Sequence, residues 1–328
     1  MQYRTLGKTG FNISAISLGT WQVGGKWGSA FDTKNAEKIL HTAVDNGVNF
    51  IDTADVYSDG DSEKAIGRFL KTRKEQLHVA TKCGRQIQPH VSEEYQPAVL
   101  RKHVEDSLQR LQVDTLDLIQ LHCPPTQVFY RPEIFGLFDD LKKEGKIQHL
   151  GVSVEKVEEA LKAIEFDNVT TVQIIFNMFR QRPAELFFAE AKRKNVGVIV
   201  RVPLASGLLT GNYTVQTVFE SGDHRQFNRN GEAFDKGETF SGIDYATGLK
   251  AVEELKQIVP VGKTLSALAL KWILGFDAVS TVIPGASKPE QVVRNLEALN
   301  EQSLNSDQLQ QVQTVYEKYI KPSVHQLW

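Results

Sequence analysis

Along most of the chain, short runs of β-branched and aliphatic residues alternate with segments whose apolar positions recur three or four apart. The runs at 15–20, 48–54, 77–82, 115–122, 147–153, 169–177, 196–203 and 278–284 read as eight strands. Between them, helices are expected at 33–46, 63–72, 98–111, 134–143, 157–165, 184–194, 245–259 and 265–275, with a last one at 290–299. In VEEALKAIE, Val157, Ala160, Leu161 and Ile164 fall on one helical face. Runs such as VGVIVRVP and TLDLIQLH are apolar almost throughout, as in strands covered on both faces of a parallel sheet. Two short runs, 3–6 and 11–16, flank Gly7-Lys8-Thr9-Gly10 and predict an opening hairpin.

Eight strand–helix units in 328 residues fit a (β/α)8 TIM barrel, the α/β class. A doubly wound open sheet is the alternative, and the count alone does not separate them. No change of composition marks a linker, and no glycine fingerprint follows the first strand, so one barrel domain over 1–328 is expected. The long stretch 204–243 after strand seven carries Phe219, Phe227, Phe234 and Phe240, which suits a loop that packs on something. The aromatic tail 316–328 is expected to dock on the barrel.

Composition narrows the partners. Lys+Arg is 38 and Asp+Glu is 40, a net charge of −2, which argues against a nucleic-acid or anionic-membrane surface. Two cysteines build no disulfide framework, the start MQYRTLGKTGFNI lacks a signal-peptide apolar region, and no apolar run is long enough to span a bilayer. A cytoplasmic protein, monomeric or weakly homo-oligomeric, is expected. GxGxxG, HExxH, CxxC and GxSxG are all absent, and VPVGKT lacks the first glycine of a P-loop because Gln257 stands there.

In a (β/α)8 barrel the site forms at the C-terminal ends of the strands. Asp52 lies on strand two with Tyr57 just beyond it, Lys82 ends strand three, and His122 ends strand four. Singly, each has an ordinary structural reading; on consecutive strand ends they form a set. An ammonium near a phenol favours the phenolate and lowers its pKa, a carboxylate holds the ammonium, and a neutral imidazole orients a carbonyl. Such a group is a general-acid device aimed at a carbonyl.

These residues and their surroundings resemble the aldo-keto reductase superfamily over essentially the whole length, nearest the bacterial branch related to potassium-channel β-subunits. The matching motifs are LGTW, FIDTADVY, GDSE with Ser62 and Glu63, ATKCG, LIQLHCPP, GVS, PLASGLLTG and IPGASKPEQVVRNLEAL. The resemblance implies a (β/α)8 barrel floored by the hairpin, using NADP(H) without a Rossmann domain. It assigns Tyr57 as proton donor, with Lys82, Asp52 and His122 as its catalytic partners. It gives cofactor contacts to Gly19, Thr20 and Trp21, and carboxamide contacts to Ser153 and Gln173. The pyrophosphate segment falls on Pro203, Leu204, Ala205, Ser206, Gly207, Leu209 and Gly211, with Arg225 beside it. The adenosine end falls on Gly285, Ser287, Lys288, Gln291, Arg294 and Asn295. A strand-to-helix turn bearing Lys288 and Arg294 is itself suited to an anion. Three positions depart from the pattern: Arg201 replaces a stacking aromatic ring, Val154 replaces an asparagine, and Gln291 replaces an arginine.

The resemblance implies an NADP-dependent reductase of aldehydes or ketones acting on a small-molecule carbonyl substrate. A cofactor-sensing regulatory subunit with incidental turnover is the alternative, and a metal- or phosphate-dependent barrel lyase finds no ligand cluster. Trp21, Trp27, Phe129 and Trp328 are expected to supply an apolar pocket wall. Cys83 and Cys123 follow Lys82 and His122 directly and read as small buried hydrophobes or, alternatively, as a redox-sensitive site.

Overall fold

The computed structural model describes residues 1–25 and 30–328. It opens with an antiparallel hairpin of β1 (Tyr3–Thr5) and β2 (Asn12–Ser14), in which Arg4 pairs with Ile13. Eight parallel strands follow in sequence order: β3 (Leu18–Gly19), β4 (Phe50–Asp52), β5 (His78–Cys83), β6 (Leu116–His122), β7 (Ile147–Ser153), β8 (Val169–Ile175), β9 (Gly197–Arg201) and β10 (Val279–Val282). The helices between them are α1 (Thr33–Asp45), α2 (Asp61–Leu70), α3 (Pro97–Leu111), α4 (Pro132–Lys143), α5 (Val157–Ala163), α6 (Phe187–Arg193), α7 (His224–Phe227), α8 (Tyr245–Lys256) and α9 (Leu265–Leu274). Then come α10 (Pro289–Leu296) and α11 (Ser306–Val315).

The first and last strands meet through parallel bridges, Ile16 with Val282 and Gly19 with Gly285, and the Ser17 N–H donates to the Val282 carbonyl at 2.8 Å. The sheet thus closes into the expected (β/α)8 barrel. Gly19 is obligatory at that seam, because a Cβ there would sit 2.7 Å from the Ile283 carbonyl oxygen.

Side chains alternate between the two faces of each strand. One set, including Ile51, Val79, Ile119, Val152 and Val172, meets the helices in the main core. The other set points into the barrel. Phe50, Ala80, Leu118 and Ile199 form an apolar floor closed from below by Leu6 and Ile13 of the hairpin. Two residues further along the same strands stand Asp52, Lys82, Gln120 and Arg201. The hairpin therefore seals the bottom with apolar groups, and the polar set is confined to the top.

The expected strands all exist. Strand one is shorter than its apolar run, with only Leu18–Gly19 in ladder geometry and Ile16 in an isolated bridge. Helix α11 was not expected; its sequence SDQLQQVQTV buries only Val312 and Val315. The 204–243 stretch does pack: Phe219 and Phe240 are buried, and Phe227 and Phe234 are half-buried. The tail also docks, ending with Trp328 buried beneath the Arg180 guanidinium, 4.8 Å from its ring centroid.

Candidate active site

A cavity of about 1020 Å³ opens at the C-terminal ends of the strands. It runs from Trp21, Tyr57 and His122 past Arg201, Pro203 and Gly207 to Gln291, Arg294 and Asn295.

Strand register builds its floor. Asp52 pairs with Ala80, and Lys82 with Gln120, so successive strands present these side chains at nearly one height. The Lys82 ammonium donates to Asp52 Oδ1 at 2.5 Å, to the Thr53 carbonyl at 2.8 Å and to the Tyr57 hydroxyl at 3.3 Å. Asp52 Oδ2 accepts from the amides of Gln120 at 3.1 Å and Gln173 at 2.7 Å. Lys82 is wholly buried, so its charge persists only because this shell is complete. Burial opposes the Lys82 charge, but Asp52 and Tyr57 overcome it and hold the ammonium above its ordinary pKa.

Tyr57 differs from the sequence expectation. Burial pushes its phenol up, and Lys82 offsets only part of that rise, so the hydroxyl is protonated at neutral pH. Burial also drives His122 well below the usual imidazole range, reinforced by Arg85 and Lys82, so the ring is neutral. Its Nδ1 is buried and has no hydrogen-bond partner among the described residues. The His122 and Tyr57 rings meet edge-on at 6.1 Å, and Trp21 packs edge-on to Tyr57 at 5.2 Å.

The GDSE residues hold the loop that carries Tyr57. Ser62 Oγ hydrogen-bonds to Thr53 Oγ1 and Thr20 Oγ1, both at 2.9 Å. Buried Glu63 accepts from Thr81 and, at 2.5 Å, from Arg110 Nε.

The expected cofactor residues divide into three groups. Gly19, Thr20, Trp21, Gln173, Arg201, Pro203, Leu204, Ser206, Gly207, Arg225, Gly285, Gln291, Arg294 and Asn295 line the cavity. Ser153 lies behind the wall, its Oγ 3.5 Å from Cys123 Sγ, while Ala205 and Leu209 face the core. Gly211, Ser287 and Lys288 flank the cavity without lining it. Gln173 spends its amide N–H on Asp52. Arg225 is engaged with Asp223 and stacks over Phe219 at 4.8 Å. Gln291 Oε1 accepts from the Ser287 N–H at 2.7 Å and its hydroxyl at 3.1 Å, bracing the turn before α10.

The backbone fits a dinucleotide along this wall. Val202, Ala205 and Ser206 take left-handed φ values of 50°, 47° and 55°, and Gly207 takes 96°. For β-branched Val202 that is a strained conformation, of the kind concentrated at ligand-binding segments. A Cβ on Gly207 would lie 2.3 Å from the Tyr213 hydroxyl. The far end carries Gln291 from the first turn of α10 and Arg294 from its last turn, and that guanidinium is a setting for a phosphate.

The expected aromatic pocket wall is largely corrected. Trp21 lines the cavity, whereas Phe129 is buried in the main core and Trp328 packs on Arg180. Trp27 lies outside the described residues. The wall instead holds Arg85, His90, Glu155 and Glu238. Arg85 and Glu155 stand a few residues past Lys82 and Ser153, where the strand-end rule would have found them. Both cysteines are free, and burial pushes Cys123 up to about 12 and Cys83 well above its ordinary value, so neither is a thiolate near neutrality.

The family model for the aldo/keto reductase family matches residues 15–317. The chain belongs to this family. Aldo-keto reductase YhdN of Bacillus subtilis is 31% identical, over 99% of this chain and 96% of its own. The NADH-specific methylglyoxal reductase of Escherichia coli is 30% identical over 90% of this chain and 92% of its own. Among solved structures, the holo form of aldo-keto reductase AKR11C1 from Bacillus halodurans superposes with a TM-score of 0.78 at 26% identity, covering 99% of both chains. The glycerol dehydrogenase AKR11B4 of Gluconobacter oxydans gives 0.77 at 30% identity, covering 97% and 96%. The protein is thus an aldo-keto reductase oxidoreductase, with relatives that use a nicotinamide cofactor.

Proposed function

We propose that the protein reduces aldehyde or ketone carbonyls to alcohols with NADP(H), and that the whole chain, 1–328, is one domain built around this site. The observation that carries the reading is the buried Asp52–Lys82–Tyr57 chain opening onto the long cavity. Bound NADPH would supply the hydride to the carbonyl carbon. Tyr57 gives its phenolic proton to the carbonyl oxygen. Lys82 stabilises the phenolate left behind, and Asp52 keeps Lys82 charged and in place. Neutral His122 orients the carbonyl oxygen between itself and Tyr57. Gly19, Thr20 and Trp21 with Gln173, Ser153 and Arg201 hold the nicotinamide end, and the 203–211 segment with Arg225 holds the pyrophosphate. Ser287, Lys288, Gln291, Arg294 and Asn295 near Gly285 read the 2′-phosphate, which favours NADP(H) over NAD(H) through charge-assisted hydrogen bonds.

Relatives named as a methylglyoxal reductase and a glycerol dehydrogenase support carbonyl–alcohol chemistry. The test is a panel of aldehydes and ketones with the purified chain, followed by NADPH oxidation. Turnover of several members is expected. Tight cofactor binding with no turnover on any would favour the cofactor-sensing alternative.

A further inference from the structure

The reaction just described leaves three charged side chains of the cavity, Arg85, Glu155 and Glu238, without a role, and a fourth, Arg201, with only a cofactor-holding one. Arg85 stands beyond β5, Glu155 beyond β7, Arg201 ends β9, and Glu238 comes from the long 204–243 segment. They form one closed set of ion pairs. Arg201 reaches Glu155 at 2.9 Å and Glu238 at 3.6 Å, while Arg85 reaches Glu238 at 3.2 Å and Glu155 at 3.8 Å. All four line the same cavity as Tyr57, His122 and Gln173. With both carboxylates ionised the set is neutral; with one protonated it carries one positive charge.

The two carboxylates are unequal. Glu155 is held by Arg201, which overcomes its burial and keeps its pKa below the ordinary value. Burial and the neighbouring Glu155 push Glu238 up to about 7, against the pull of Arg85 and Arg201. The other groups facing this cluster are Arg180, Asp235, Tyr57, His90, His122, His224 and the un-ionised Cys123. Burial holds His224 below the usual imidazole value, so it changes charge at lower pH than Glu238.

The reduced nicotinamide ring is neutral, and the oxidised ring carries one positive charge. A nearby group that gains a negative charge therefore favours the oxidised form. We propose that Glu238 is an electrostatic tuning residue: its carboxylate, set between Arg85 and Arg201 on the cavity wall, decides whether the site favours the oxidised or the reduced nicotinamide. No bond to cofactor or substrate is made there; Glu238 only exchanges a proton with solvent. The proposal rests on the reading of this cavity as the nicotinamide site.

The experiment is a fluorescence or calorimetric titration of the intact protein with NADPH and with NADP⁺, separately, from pH 5.5 to 9. The ratio Kd(NADP⁺)/Kd(NADPH) cancels effects common to both forms, such as titration of the 2′-phosphate. In the wild type this ratio is expected to fall about tenfold as pH rises through the neutral range, the order of effect for unit charges roughly 10 Å apart at an effective dielectric near 20. Glu238→Gln keeps the shape and, set in an Asp55→Asn background because Asp55 also gains charge near pH 7, should hold the ratio near its acid-side value at every pH. Arg85→Gln removes a positive charge and should lower the ratio at pH 9 below that of the wild type. The NADH and NAD⁺ pair should show the same pH trend, since the effect concerns the ring. A Glu238→Gln protein that keeps the pH dependence of the Asp55→Asn background overturns the proposal while leaving the cofactor reading intact. Failure of all four dinucleotides to bind overturns both.

Discussion

A lysine with no exposed surface is tolerated here because each of its three protons has an acceptor: Asp52, the Thr53 carbonyl and the Tyr57 hydroxyl. Lys82→Met leaves the buried Asp52 carboxyl without its counter-ion. Breaking a buried pair from one side typically costs about 3–5 kcal/mol. A fall in thermal midpoint together with near-complete loss of turnover is expected; a stable and active variant would contradict both roles. Asp55, between Asp52 and Tyr57, is buried with no hydrogen-bond partner for its side-chain oxygens among the described residues. Burial, aided by Glu63, pushes it up to about 7 from 3.8. The folded state then binds more protons than the unfolded state between those values, so its contribution to stability declines as pH rises from about 4 to 7. Asp55→Asn removes that penalty. Melting curves from pH 5 to 8.5 should show the variant gaining on the wild type as pH rises, by up to a few kcal/mol; parallel curves would contradict the burial argument. The phenol–ammonium–carboxylate set was legible from residue types at strand ends. The direction of the Tyr57 shift was not, because it depends on how deeply the hydroxyl is buried.

At the scale of elements, the site follows from alternation along the strands. An apolar residue at the floor fixes the next inward position two residues later at the level of the chemistry. Gln120 follows from Leu118 by this rule, yet an amide in an apolar run gave no signal of its own. The α11 helix gives little signal in the sequence because its buried stripe is only two valines wide. Phe129 and Trp328 were misplaced because aromatic character says that a side chain is covered, not what covers it. Glu238 lies 153 positions from Arg85, and nothing in the sequence marks that pairing. The barrel seam offers a test at this scale. Gly19→Ala places a Cβ against the Ile283 carbonyl, and backbone cannot yield as a side-chain tip does. Overpacking of this kind costs roughly 1–3 kcal/mol. A lowered denaturation midpoint with an unchanged m-value is expected, and an unchanged midpoint would show that the seam has slack.

In the whole molecule, a long wall of strand ends and loops joins Tyr57 to α10 at the far end of the cavity, with Lys288 at the N-cap of that helix and Arg294 in its last turn. This layout predicts where the two nicotinamide cofactors part. Lys288→Ala combined with Arg294→Ala should weaken NADPH binding far more than NADH binding. The difference should shrink at high salt, because exposed charges are screened over about 8–10 Å near physiological ionic strength. Equal dissociation constants for NADPH and NADH in the wild type would show that this end does not read the phosphate. Gln291 is turned onto Ser287, so on the proposed reading the phosphate would fall chiefly to the two cations. The proposed reaction turns on one phenolic proton, which Tyr57 would deliver to the carbonyl oxygen. Tyr57→Phe removes that hydroxyl and keeps the ring against Trp21 and His122. The decisive measurement is single-turnover NADPH oxidation by Tyr57→Phe with a carbonyl that the wild type reduces, beside a cofactor titration of the same preparation. The account predicts cofactor binding near the wild-type value and a reduction rate lower by about 10²–10⁴-fold or more. Reduction at close to the wild-type rate would contradict it.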